Sequence, residues 1–210
     1  MIIPTYEQAK QYEKDYTYIP VCREILADDV TPILMLRKLA ALDGQYFLLE
    51  SVEGGNLGRY SFLGYHPKLS VSCKNGVVKV KENGMVRILP GKPKEALQSL
   101  LEQYRSPQIE GLPTFTGGLV GYFAYETIQY AEPKLHIKQS DVNDFELMMF
   151  DKLLAFDQVM HKLCIIVNAR TTDGEAGYNK AVEEIDAFIE TLRITEPIPY
   201  EKPQKAPEFT

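Results

Sequence analysis

The chain has 210 residues, of which 45% are apolar, so it is long enough to form one large domain or two small ones around a hydrophobic core. Its formal charge of -6 and its pI near 5.2, with no cluster of lysine and arginine, exclude the long-range attraction used by proteins that bind nucleic acid or anionic membranes. We therefore expect a small-molecule or protein partner, with no nucleic acid and no membrane.

The beginning of the chain and its cysteines predict the compartment. The residues from Met1 to Thr5 have neither the basic region nor the apolar stretch of a signal peptide, and no apolar run approaches the roughly 18 residues of a membrane span. Cys22, Cys73 and Cys164 form no Cys-x-x-Cys pair, which argues against a zinc site and against a disulfide framework. These features favour a soluble protein of the reducing cytoplasm.

The first part of the chain predicts two helices and a strand. Glu, Gln, Ala and Lys dominate from about Pro4 to Tyr16, which favours a helix, and the segment from Tyr18 to Leu26 has the composition of a strand. A second helix is predicted to begin at Pro32, because Thr31 can cap its first turn. This helix is predicted to end at Leu42, before Gly44.

Alternation of apolar and polar residues begins at Gln45 and predicts five strands. Asn75-Gly76 and Asn83-Gly84 separate three of the five, and Asn-Gly between alternating runs is typical of a tight hairpin. We therefore expect an antiparallel meander. The predicted strands are Gln45 to Ser51, Arg59 to Tyr65, Lys68 to Lys74, Val77 to Glu82, and Met85 to Leu89.

The remaining elements indicate sheets covered by helices rather than alternating βαβ units. An amphipathic helix from Lys94 to Tyr104 can cover a sheet face. It is followed by a strand, an irregular stretch to about Asp144, a hairpin and a long helix, and the proline-rich end reads as a linker. The class is therefore predicted to be α+β, with antiparallel β-sheets covered by helices. The later segments are Gly117 to Tyr125, Lys152 to Asp157, Lys162 to Ala169, Glu175 to Leu192, and the linker Pro197 to Thr210.

The usual chemistry-bearing patterns are weak. Gly54-Gly55-x-x-Gly58 does not match the dinucleotide pattern and precedes a strand, whereas a phosphate site needs a helix N-terminus. The histidines have no patterned partner and are interpreted as surface or turn residues: His66, His136 and His161. Four carboxylates of the irregular stretch are interpreted as a solvated loop rather than a divalent-cation site: Asp141, Asp144, Glu146 and Asp151.

The strand that ends in Ser51 is the best candidate for a binding surface. Alternation extends an apolar row, Phe47 and Leu49, with the Ser51 hydroxyl. An apolar wall with one polar group at its rim suits a compact amphiphile such as an amino acid, although a strand running into a turn explains the same pattern. Arg59 can supply charge for a ligand carboxylate or pair with Glu50.

Several stretches together resemble the N-terminal half of the anthranilate synthase component I family, the large subunits that convert chorismate to anthranilate in tryptophan biosynthesis. The resemblance spans nearly the whole chain. It is carried by IPVCREI at Ile19 to Ile25, by Thr31-Pro32, by LLES at Leu48 to Ser51, by GRYSFLG at Gly58 to Gly64, and by GGLVGYFAYE at Gly117 to Glu126.

The resemblance implies a regulatory half of a four-layer α/β/β/α fold. Residues 1–196 would form the N-terminal tryptophan-binding domain, and residues 197–210 a linker to an absent C-terminal chorismate-binding domain. By position in the family motifs, the L-tryptophan inhibitor site is expected at Ser51, Glu50, Leu49, Thr31, Pro32 and Arg59. Of these, Arg59 aligns only across a short gap.

The same resemblance implies that the catalytic residues and the Mg²⁺ ligands lie in the absent half, so this chain alone is expected to be inactive and to hold no cofactor. Expected partners are L-tryptophan, the C-terminal domain and a glutamine amidotransferase subunit, and exposed apolar surface could favour a homo-oligomer. Two alternatives stay open: the large subunit of aminodeoxychorismate synthase, and a free-standing amino-acid sensor or adaptor module.

Overall fold

The computed structural model describes residues 2–42, 44–50, 58–132, 134–135 and 141–199. Some residues singled out above therefore lie outside the described part of the chain, namely Ser51, Gly54, Gly55, His136 and most of the predicted linker.

The helices predicted from the sequence are present, but the first is shorter than predicted, and a short helix at Ile128–Ala131 lies in the stretch predicted to be irregular. The predicted helix from Pro4 to Tyr16 is wrong in length, because it ends at Lys10 and continues as turns with a Tyr12 N–H to Ala9 carbonyl bond of 3.0 Å. Ala9 is its one buried residue, so little packing holds further helical turns. The α-helices are α1 Tyr6–Lys10, α2 Pro32–Leu42, α3 Pro93–Glu102, α4 Ile128–Ala131 and α5 Gly174–Ile194.

Eleven strands of the described residues form two antiparallel sheets. Sheet A has the order β1-β2-β11-β10-β4-β3, and sheet B has the order β7-β6-β5-β9-β8. The strands are β1 Ile2–Ile3, β2 Tyr18–Leu26, β3 Tyr46–Leu49, β4 Tyr60–Tyr65, β5 Leu69–Lys74, β6 Val77–Glu82, β7 Met85–Leu89, β8 Gly118–Phe123, β9 Phe145–Phe150, β10 Lys152–Asp157 and β11 Lys162–Arg170.

The five strands of the predicted meander are confirmed, but the prediction that they form one sheet is wrong. Both Asn-Gly turns are present, with φ of +51° and +78° at Asn75 and Gly76 and of +50° and +79° at Asn83 and Gly84. However, β3 and β4 belong to sheet A and β5 to β7 belong to sheet B. Alternation identifies a strand but not its neighbour, and β4 and β5 each pair with a distant strand, β10 and β9.

A central strand lies between the predicted irregular stretch, which ends at about Asp144, and the predicted hairpin, in a segment to which the sequence assigned no element. Phe145–Phe150, with the sequence FELMMF, is β9 and lies between β5 and β8. Its apolar residues do not alternate, because Leu147 and Met149 pack towards α3 while Met148 and Phe150 pack towards sheet A. A strand covered on both faces reads as a continuous apolar run, so alternation does not reveal it.

Three apolar clusters define a helix-sheet-sheet-helix order. Helices α2 and α5 cover one face of sheet A, with buried residues such as Leu39, Leu63 and Ile185. The other face of sheet A packs against the β8–β9 side of sheet B, and α3 covers the far face of sheet B. The α+β class with antiparallel sheets is confirmed. None of the helices in the described part of the chain combines the length and apolar character needed to cross a membrane.

Candidate functional site

The start of α2 is built as the sequence predicts. The Leu34 backbone N–H donates to the Thr31 hydroxyl at 3.1 Å, and the Met35 N–H donates to the Thr31 carbonyl at 3.0 Å. Pro32 is the first helical residue, where its missing N–H costs no intrahelical bond. Thr31 is exposed and Pro32 is half-buried, so this corner borders solvent.

Helix α2 and strand β3 fold back on each other, which brings two of the predicted segments to one end of the molecule. Leu39 of α2 and Leu48 of β3 belong to the same apolar cluster. Val30 and Met35, at the start of α2, line one cleft with Leu163, which pairs with Phe156 of β10, and Phe156 pairs with Ser61 at the start of β4. Leu49 pairs with Phe62, the next residue of β4. The start of α2 and the end of β3 therefore lie at the same end of sheet A.

The wall beside the strand end is aromatic. Leu49 lies opposite Phe62 in the β3–β4 ladder and is 49% exposed, whereas Phe62 is half-buried between the sheets. The Phe62 ring centroid lies 5.9 Å from that of Tyr60 and 5.4 Å from that of Phe115. Leu49 therefore extends an apolar surface that is covered on one side and open on the other. Glu50, directly after it, is exposed.

Phe47 is seated in this wall because Gly64 leaves room for it. A Cβ atom at Gly64 would lie 2.1 Å from the Phe47 ring, and the Phe47 and Phe150 centroids are 4.8 Å apart. The close approach explains the glycine in the middle of β4.

Arg59 is engaged by a residue that the sequence did not indicate. Its Nε donates to the Asp157 carboxylate at 3.0 Å, and its guanidinium carbon lies 4.9 Å from the Tyr60 ring centroid. Arg59 directly precedes β4, so it lies at the same end of sheet A as Glu50, but its ion pair is with Asp157. A carboxylate already faces Arg59, which reduces the charge it can offer to a ligand.

Asp157 organises this corner from the last position of β10. It is 5% exposed and accepts hydrogen bonds from the backbone N–H groups of Val159 at 3.1 Å and Met160 at 3.0 Å. Burial opposes ionisation, but the bonds from Arg59 and from these two N–H groups hold the pKa of Asp157 below its usual value. The carboxylate therefore stays charged and joins β4 to the β10–β11 turn.

Two clefts of the described residues lie near these elements. One of about 430 Å³ opens between α2 and α5 and is lined by Val30, Met35 and Leu192 among others. A larger one of about 640 Å³, with Ser72, Lys79 and Tyr122 in its lining, lies on the side of sheet B that faces sheet A, where sheet A does not cover it. We call this part the open face of sheet B. The five described residues predicted for the inhibitor site, Thr31, Pro32, Leu49, Glu50 and Arg59, line neither cleft. Ser51 is outside the described residues.

The interpretation of the four carboxylates as a solvated loop is wrong for Asp144, which is buried, and for Glu146, which lies in a strand. Asp144 accepts from the Tyr130 hydroxyl at 2.5 Å, and Asp151 faces the Lys68 ammonium at 3.2 Å. Glu146 lies in β9, not in a loop, and accepts from Asn143 at 2.6 Å. In the part of the chain that the structure describes, no three His, Cys, Asp or Glu side chains are placed to hold a metal ion.

The histidine interpretation is confirmed for the two described histidines. His66 and His161 are exposed and have φ of +50°, a turn conformation. His136 lies outside the described residues.

Asp157 is the site residue that sequence reasoning missed. Its local role could have been found, because an Asp that ends a strand before a turn commonly accepts backbone N–H groups two or three residues on. Its ion pair with Arg59 joins residues 98 positions apart, and no local pattern indicates it.

Comparison with curated proteins finds extensive similarity, whereas no protein-family model matches. The anthranilate synthase component 1 of Acetivibrio thermocellus is 36% identical over 190 residues, which cover 88% of this chain and 38% of that protein. The one of Acinetobacter calcoaceticus is 36% identical over 92% of this chain and 40% of that protein. For Synechocystis sp. the identity is 33% over 96% of this chain and 41% of that protein.

The fold comparison agrees with the sequence comparison. A crystal structure of anthranilate synthase component I from Streptococcus pneumoniae TIGR4 matches with a TM-score of 0.54 and 24% identity, covering 82% of this chain and 37% of that chain. The chain spans about two-fifths of the length of the curated relatives it matches. Over nearly its whole length, this chain is a homologue of anthranilate synthase component I.

Proposed function

We propose that this chain is the part of an anthranilate synthase large subunit that carries the L-tryptophan feedback site. In this proposal the parent enzyme is a lyase that converts chorismate, with ammonia derived from glutamine, to anthranilate and pyruvate. The homology to anthranilate synthase component 1 over about nine-tenths of the chain supports the assignment.

One observation carries the position of the site. Residues from three separate parts of the chain, Thr31-Pro32, Leu49-Glu50 and Arg59, lie at one end of the α2, β3 and β4 unit. The aromatic wall next to Leu49 suits an indole side chain, and the exposed polar groups of this corner suit an amino acid's charged end. Ser51 follows directly in the sequence and is proposed as the hydroxyl that contacts the ligand.

The proposed catalytic half is the part of the relatives that this chain does not cover. The described residues offer no convergent set of Mg²⁺ ligands. Asp144 and Asp151 already bind protein donors, the Tyr130 hydroxyl and the Lys68 ammonium. Chorismate binding and Mg²⁺ are assigned to the remaining part of the parent enzyme.

The open face of sheet B is the proposed contact with that remaining part. It carries the cleft of about 640 Å³, and its edge residues Val86, Ile88 and Tyr122 are 61%, 65% and 40% exposed. Apolar side chains on an open sheet face are typical of a surface that another segment covers.

A glutamine amidotransferase subunit is a further proposed partner. A reducing cytoplasm is the proposed setting, in keeping with the unpaired Cys22, Cys73 and Cys164.

Feedback inhibition requires that tryptophan bind one arrangement of the two halves more tightly than the other. A coupling of about 1–3 kcal/mol, a factor of roughly 5 to 150 in affinity, is ordinary for such a device. Because the proposed pocket also needs residues from the other half, this chain alone is expected to bind tryptophan weakly or not measurably.

The decisive experiment begins with the reading frame beyond Thr210. Its full product should form anthranilate from chorismate, ammonium and Mg²⁺, and L-tryptophan should inhibit the reaction. Ser51→Leu should raise the inhibitory concentration of tryptophan by about tenfold or more, the effect of losing about 1.4 kcal/mol of binding, while the uninhibited rate stays within about twofold. The matched control is Ser99→Leu on the exposed side of α3, which should leave inhibition unchanged.

Three results would refute the proposal or redirect it. A reading frame that stops at Thr210 would favour the free-standing sensor. Formation of aminodeoxychorismate instead of anthranilate would favour the other large subunit. Micromolar tryptophan affinity of the 210 residues alone, measured by calorimetry, would contradict a pocket shared between two halves.

A further inference from the structure

Helix α2 also holds the chain that leaves α5. We call residues 195–199 the exit segment. The Arg37 Nε donates to the Ile198 carbonyl at 2.6 Å, and the Ile198 N–H donates to the Arg37 carbonyl at 3.2 Å. The next residue of α2 is Lys38, and its ammonium donates to the Leu192 carbonyl in the last turn of α5 at 2.6 Å. The predicted linker therefore does not leave the domain freely at Pro197.

The sequence of the exit segment explains why Ile198 is the anchored residue. Pro197 and Pro199 flank it, and proline has no backbone N–H to donate. Ile198 lies between the two prolines and, unlike them, can both donate a backbone hydrogen bond to α2 and accept one from it. The reciprocal pair with Arg37 fixes its position along the helix.

The same helix carries the proposed inhibitor corner at its beginning, and Arg37 lies in its middle. Met35, between Thr31 and Arg37, is 3% exposed, and Leu39, just beyond Arg37, is 0% exposed; both belong to the apolar cluster that includes β4 and the last turns of α5. Packed cores deform little, so a short helix with buried residues on one side moves as a unit rather than bending. A displacement at Thr31 is therefore transmitted to Arg37, within two helical turns.

We propose that α2 couples the inhibitor corner to the exit segment. Occupation of the corner by L-tryptophan changes the position of α2, and the Arg37–Ile198 contact passes this change to the chain that leads away from the domain. The inference rests on the proposed function for the identity of the ligand. The coupling between Thr31 and Ile198 does not depend on that identity.

The first test needs no ligand and compares two helix caps. Thr31→Ala removes the cap of α2, and Thr5→Ala removes the equivalent cap of α1, where the Gln8 N–H donates to the Thr5 hydroxyl at 3.4 Å. Amide hydrogen exchange of the exit segment is followed by mass spectrometry on the product of the full reading frame. Its two prolines leave the amides of Thr195, Glu196 and Ile198 as reporters.

Thr31→Ala is expected to speed exchange in the exit segment by about two- to fivefold, the upper value corresponding to a typical cap loss of about 1 kcal/mol. Thr5→Ala should leave it unchanged. Arg37→Ala should speed exchange by itself and abolish the response to Thr31→Ala. The matched control Arg193→Ala removes an exposed arginine that pairs with Glu190, and should preserve the response. Equal effects of the two cap variants, or none, would overturn the coupling.

The second test adds L-tryptophan. The chain contains no tryptophan, so for this part of the protein the ligand's own fluorescence reports binding without interference. Bound tryptophan should change exchange in the exit segment of the wild type and of Arg193→Ala, but not of Arg37→Ala. If tryptophan binds and the exit segment does not respond, the inference is wrong. If tryptophan does not bind, the proposed function fails, and the comparison of the two caps alone decides the coupling.

Discussion

At the scale of single residues, the corner near Arg59 depends on one buried carboxylate. Asp157 receives the Arg59 guanidinium and two backbone N–H groups, and it thereby links β4 to the β10–β11 turn. Because the carboxylate is 5% exposed, water cannot replace these donors when one is removed. The conformation of Arg59 is therefore a consequence of Asp157.

Asp157→Asn keeps the shape of the side chain and can still accept the N–H groups of Val159 and Met160, but it removes the charge that faces Arg59. We expect the free energy of unfolding to fall by about 1–3 kcal/mol at neutral pH, because bonds to a charged group are lost at a buried site. Urea denaturation measures this change. Glu190→Gln, which removes the charge of an exposed pair with Arg193, should leave stability unaltered. Equal effects of the two variants would contradict the role of Asp157.

The pH dependence of the same variant follows from the lowered pKa of Asp157. A carboxyl group with a lowered pKa in the folded state stabilises fully above its unfolded pKa of about 3.9, and the stabilisation is lost as the pH falls through the folded pKa. The stability difference between wild type and Asp157→Asn should thus stay constant down to about pH 4 and narrow below it. If the stability difference between wild type and Asp157→Asn has already disappeared at a pH above 4, the pKa of Asp157 is not lowered.

At the scale of elements, the strand pair β8–β9 positions the interface between the two sheets. Leu119 of β8 packs with the α3 side, whereas Val120 packs with sheet A. Gly121 is the next residue of β8, and it lies opposite Leu147 of β9. A Cβ atom at Gly121 would lie 2.0 Å from the Glu146 carbonyl oxygen, so β8 approaches β9 more closely than another residue allows.

Gly121→Ala should therefore push β8 away from β9. We expect a loss of about 1–3 kcal/mol in the free energy of unfolding, as for other insertions into packed sites. Thermal unfolding followed by circular dichroism measures the change. Gly44→Ala is the control, because a Cβ there meets no atom within 4 Å, and its effect should stay within about 0.5 kcal/mol. A neutral Gly121→Ala would show that β8 is not held as the structure indicates.

At the scale of the whole molecule, β8 forms one outer edge of sheet B among the described residues. Its end and the turn that follows expose large apolar side chains: Phe123 at 59%, Tyr125 at 79% and Ile128 at 40%. An unpaired strand edge next to apolar side chains favours pairing with another chain. The 210 residues on their own are therefore expected to self-associate through this edge. In the parent protein, another part of the chain could cover it and prevent the association.

Light scattering over a concentration series should show a mass that rises with concentration for these 210 residues. Phe123→Lys should shift the equilibrium towards the monomer, because a charge at the edge opposes pairing. Val159→Lys adds the same charge at a turn residue that is 62% exposed and should have no such effect. A constant monomer mass, or equal effects of both variants, would contradict association through β8.

The local features of this protein were determined by its sequence alone. The Asn-Gly turns, the Thr31 cap and most strands depend on backbone preferences and spacings within a few residues, and these act wherever the segment lies in the fold. The family resemblance rests on the same kind of short segment. For that reason the α+β class and the homology to anthranilate synthase component I could both be inferred before any contact was known.

Only the tertiary structure decided which segments meet. The separation of β4 and β5 into different sheets, the central place of β9, and the pairs Arg59–Asp157 and Arg37–Ile198 join residues far apart in the chain, 98 and 161 positions for the two pairs. Such contacts form because many apolar surfaces are buried at once, and each polar pair depends on where that burial places its partners. A local pattern contains no information on this placement, so the corner proposed for tryptophan and its connection to the exit segment are properties of the assembled fold.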